Sequence, residues 1–85
     1  MIFVRRKELN MNVSLSEFEY MKEGIVTDVI RFLMEEKGYS LGMAMSCMYD
    51  SNTFSLLNNP ETDLFSQSSR YVYNVLLKEL CLINW

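Results

Sequence analysis

From Ser14 onward the apolar positions of this chain recur at the three- and four-residue intervals of an amphipathic helix, with no convincing two-residue alternation of a strand. The longest such stretch is SLSEFEYMKEGIVTDVIRFLMEEKG, residues 14–38. Phe18, Met21, Ile25, Val29 and Phe32 form its stripe, and Val26, Ile30 and Leu33 widen it. Ser14 or Ser16 can cap its start, and Ser14 stands three residues before Glu17, the spacing of a capping box. Glu17 and Glu19 lie where the helix dipole favours negative charge. Asp28, Arg31 and Glu35 share a polar face. Gly38 is placed to close the helix in a left-handed conformation.

Ser40 is a natural cap for a second helix. Leu41, Ala44, Met45, Met48 and Tyr49 then follow at helical spacing and predict one inner face. TFSLL reads as one further helical turn begun by Ser51 or Asn52. NNPETD is loop chemistry, because the residue before a proline is biased away from helix. DLFSQSS is expected to tuck Leu64 and Phe65 into the core. SSRYVYNVLLKELCLINW is the last helix, capped by Ser68 or Ser69, with Val72, Tyr73, Leu76, Leu77 and Leu80 inside. Tyr71 and Tyr73 stand two apart and so point to opposite sides. The sum is an all-α fold: a compact single-domain bundle of about four helices, two longer and one or two short, over residues 14–85. Residues 1–13, MIFVRRKELNMNV, read as an N-terminal arm, or as a short edge strand through IFVRR.

At 85 residues the chain buries only about 60–65% of the surface it exposes unfolded, so the core is thin. Its 49% apolar content is that of a globular chain. No apolar run approaches the ~20 residues of a membrane span, and the N-terminus has no apolar segment behind its basic residues. A cytoplasmic location is therefore expected.

There is no histidine, which removes Ser–His and Cys–His nucleophile pairs. Cys47 and Cys81 fit no zinc spacing, and Gly24, Gly38 and Gly42 fall in no phosphate-loop pattern. No enzyme activity, cofactor or metal is expected.

Charge decides between the two remaining function classes. Residues 1–13 hold three of the eight basic side chains and one of the eleven acidic ones; the remainder carries five basic against ten acidic, a net −5. Residues 38–57 have the outline of a helix-turn-helix, a helix, a turn and a serine-led second helix. Base reading, however, favours Arg, Lys, Asn or Gln at the second helix, with Lys and Arg clamping phosphates around it. Between Gly38 and Ser69 there is no Lys or Arg, and Asn52 alone could read a base. The expected function is a non-enzymatic protein–protein interaction module, either homodimeric or bound to another protein. The alternative is an antitoxin- or regulator-like protein with a degenerate helix-turn-helix at 38–57 that binds DNA weakly, its charge supplied by Arg5, Arg6 and Lys7. Met43 and Cys47 lie off the predicted inner stripe, Tyr71 lies opposite Tyr73, and Trp85 ends an apolar CLINW segment. These four are the candidate interface residues.

EEKGYS, AMSCMYDSNTFSLL, ETDLF and SSRYVYNVLLKEL, in that order, resemble a family of small uncharacterised bacterial helical proteins, a domain of unknown function, over residues 17–80. Carrying positions include Gly38, Ser40, Tyr49, Ser51, Thr53, Tyr71, Tyr73 and Glu79. The resemblance implies a compact helical fold and a bacterial cytoplasmic source. It implies no activity; small proteins of this kind often sit in compact operons, which suits a protein-binding role.

Overall fold

A computed structural model describes residues 14–80. It is an all-α bundle of four helices: α1 (Leu15–Lys37), α2 (Leu41–Tyr49), α3 (Asn52–Leu57) and α4 (Ser69–Glu79). Two 3-10 turns, Pro60–Thr62 and Leu64–Ser66, join α3 to α4, and there is no strand among the described residues. The readings of residues 1–13 as arm or strand, and of Cys81 and Trp85, lie outside the described residues.

Local chemistry sets every helix start. The Ser14 hydroxyl accepts from the Glu17 amide while the Glu17 carboxylate accepts from the Ser14 amide at 2.8 Å, a closed capping box. Ser40, Ser51 and Ser68 cap α2, α3 and α4 in the same way, each accepting from the amide three residues on. Gly38 ends α1 at φ 72°, the left-handed conformation that glycine adopts without a Cβ penalty. Asn59 is held extended before Pro60 and accepts from the Glu61 amide, so the chain turns there.

The core lies where α1 packs on α2 and α4. Phe18, Ile25, Val26, Val29 and Leu33 come from α1, and Val72, Tyr73, Leu76 and Leu77 from α4. Ala44, Met48 and Leu57 close one end; Leu64 and Phe65 are tucked under α1, with Phe65 edge-on to Phe18 at 5.0 Å. Met21, Ile30 and Phe32 are only half-buried.

The inner face of α2 is narrower than its spacing predicts. Ala44 and Met48 are buried, but Leu41, Met45 and Tyr49 are exposed. A nine-residue helix laid across a thin core buries only the arc that meets α1, and the next positions around the helix stay outside. Cys47, expected off the stripe, is half-buried and packs against the core instead.

Candidate interaction surface

The exposed side of α2 carries no charge. No Asp, Glu, Lys or Arg occurs from Gly38 to Tyr49. Leu41, Met45 and Tyr49 stand at i, i+4 and i+8, forming one exposed apolar ridge. Gly42 and Ser46 form the next row around the helix, both exposed and small, and Met43 stands beyond them, 54% exposed. A Cβ built on Gly42 would meet nothing within 4 Å. The result is a shallow channel of small residues flanked by large apolar ones. The ridge runs on into α3, where the Tyr49 ring meets Phe54 edge-on at 5.0 Å and Leu56 is exposed.

Of the four candidate residues, Met43 is in this surface. Cys47 is one turn further along but leans into the core, and Tyr71 is exposed on α4, whose main neighbours are α1 and α3. Trp85 lies outside the described residues. Sequence spacing assigned Leu41, Met45 and Tyr49 to the core. The absence of charge on any side of α2 was the signal that this helix has no committed solvent face.

The start of α3 is occupied. Glu79 of α4 accepts from the Asn52 amide at 2.7 Å, and from the Thr53 amide and hydroxyl at 2.8 and 2.6 Å. Desolvation by burial acts to raise the Glu79 carboxyl pKa, but the hydrogen bonds from Thr53 and the Asn52 amide outweigh it and hold the pKa below its ordinary value. Thr53 itself is fully buried. In a helix-turn-helix reader, the N-terminal residues of the second helix face base edges. Here the corresponding donors are satisfied by an internal carboxylate that would repel phosphate, so the geometry lends the DNA-binding alternative no support.

The other polar contacts clamp helices together. Asp28, Phe32 and Glu36 share one face of α1 and receive the start of α4. Asp28 accepts from the Ser69 hydroxyl at 2.7 Å and from Arg31 at 3.0 Å, and these two bonds lower its pKa. Arg70 pairs with Glu36 at 2.9 Å, and its guanidinium lies 4.1 Å from the centre of the Phe32 ring. Beneath it the Tyr73 hydroxyl is buried, and no described group is in hydrogen-bonding geometry with it. Burial first, then the nearby Glu36 carboxylate, raise its pKa. Lys22, also buried, donates to Asn58 at 2.7 Å and pairs with Glu19. None of these clusters opens onto a cleft with convergent acid and base groups.

Among the described residues no group of three or more acidic or cysteine side chains could hold a metal ion, and no helix is long and apolar enough to cross a membrane. No family model, curated protein or solved structure matches this chain. The resemblance over residues 17–80 therefore rests on the sequence motifs alone.

Proposed function

We propose that this protein is a small bacterial interaction module, working in the cytoplasm without catalysis, that self-associates through α2. The observation that carries the reading is the uncharged exposed face made by Leu41, Met45, Tyr49 and Met43 around Gly42 and Ser46. The rest of residues 14–85 carries a net −5, so two copies repel wherever their charged faces approach. They approach without that penalty across α2. A two-fold arrangement sets each helix against its own copy, and the small Gly42–Ser46 row lets the two backbones come close while the flanking residues interdigitate.

Two nine-residue helices make a small contact, so the expected product is a weak, concentration-dependent dimer. Light scattering from about 10 µM to 1 mM tests it. The 10.0 kDa monomer should give way to twice that mass at the upper end, and Met45→Glu should keep the protein monomeric throughout. A monomer at every concentration, or a dimer indifferent to Met45→Glu, would overturn self-association through α2. Salt-reversible binding of a DNA duplex would overturn the interaction-module reading itself in favour of a regulator.

A further inference from the structure

An open groove of about 550 Å³ runs along residues 20–28 of α1, between that helix and the segment that leads into α4. Its floor is apolar, made by Met21, Ile25 and Phe65. Gly24 opens a notch in its wall, where an added Cβ would meet nothing within 4 Å. Tyr20, 81% exposed, stands at one edge. Its charged lining is Glu23, which has no partner among the described residues, and Asp28, which is already paired with Arg31 at 3.0 Å and bonded by Ser69; no described Lys or Arg lines the groove. Lys22, on the same helix, is turned away to Asn58 and Glu19.

We propose that this groove is the docking site of the chain's own residues 2–7, IFVRRK, which lie outside the described part of the structure. Two features single out that occupant. One is chemistry: IFVRRK has an apolar half to cover the floor and a basic half to meet the unpaired Glu23, and Arg5 or Arg6 can stack on Tyr20. No other segment of the chain joins a run of three apolar residues to three consecutive basic ones.

The other is reach. Glu23 is about 14 Å and Asp28 about 21 Å along α1 from Ser14, at ~1.5 Å per residue. The eight residues from Arg6 to Ser14 span up to about 26 Å when extended; a reversal at Asn12, a turn-forming residue, takes two of them outward and returns the other six, which carries Arg6 about 13 Å along α1, level with Glu23. The site stands apart from self-association, since α2 contributes no residue to the groove.

The test is NMR on the isotopically labelled full chain at low salt. Cross-peaks are expected between the methyl groups of Ile2 or Val4 and those of Ile25 or the ring of Phe65. Glu23→Lys should remove the charge match, and Gly24→Leu should fill the notch. Each should abolish the cross-peaks while the signals of all four helices persist, and salt should weaken them. The inference is overturned if residues 2–7 give no contacts, or contacts with another face. It is equally overturned if the contacts survive both variants, arise only between differently labelled copies, or if the arm responds only to added DNA.

Discussion

At the scale of single residues, conformation and satisfaction of polar groups decide what each position tolerates. Gly24 and Gly38 lie in one helix and at its end, with open space around both, yet they should respond oppositely to alanine. Gly24→Ala relieves the entropy of a helical glycine and should stabilise the fold by about 0.5–1 kcal/mol. Gly38→Ala must hold φ 72° and should destabilise it by about 1 kcal/mol. Thermal or urea melts of the two variants should bracket the wild type. Tyr73 gives a second case. Its hydroxyl is buried with no described group in hydrogen-bonding geometry, although the Glu36 carboxylate stands near it, so Tyr73→Phe should leave stability unchanged or raise it by up to about 1 kcal/mol. A loss of that size on denaturation would show that the hydroxyl has a bonded partner.

At the scale of elements, the six-residue α3 is too short to persist unaided. It is held by Ser51 at its start, by Glu79 from α4 and by the burial of Thr53 and Leu57. The Ser51 hydroxyl both accepts from Phe54 and donates to the Met48 carbonyl at 2.6 Å, so Ser51→Ala should cost about 1–2 kcal/mol. Glu79→Gln keeps an acceptor but loses the charge, and hydrogen exchange should show amides 52–54 opening faster while those of α1 are unchanged. The wild type should show the same effect with acid. The Glu79 carboxyl is lowered in the folded state, so its contribution is complete above its unfolded pKa and disappears as pH falls through the folded one. Asp28, lowered by Ser69 and Arg31, adds an acid loss of the same sign at the α1–α4 contact. Glu79→Gln should flatten its share of that acid profile.

At the scale of the whole molecule, charge is the organising quantity. Residues 14–85 are acidic and the first thirteen are basic, while α2 has no charge at all. Salt should therefore move the two proposed associations in opposite directions. Screening weakens the repulsion between two acidic copies and should strengthen the α2 dimer. It also weakens the attraction of Arg5, Arg6 and Lys7 to Glu23. Scattering mass and arm cross-peaks, followed along one salt titration, should diverge. Parallel changes would mean that a single contact underlies both.

The sequence alone determined the four helices, with their starts placed to within a residue or two, since Ser16, Asn52 and Ser69 stand as alternative caps. Ser14 with Glu17, Ser40, Ser68, Gly38 and the Asn59–Pro60 pair act through bonds and clashes within three or four residues, so they are legible wherever the chain is read. The all-α class and the opposition of Tyr71 to Tyr73 follow from helical period in the same way. What only the tertiary structure decided is which part of an apolar face is used. Leu41, Met45 and Tyr49 have the spacing of core residues, but the angle at which α2 meets α1 buries Ala44 and Met48 and leaves the ridge outside. Long-range pairings were likewise invisible: Glu79 reaches donors 26 and 27 residues away, Arg70 reaches Glu36 across 34, and the groove beside Gly24 exists because Phe65 is folded back against α1. These depend on how helices pack in space, and helical periodicity carries no record of the crossing angle.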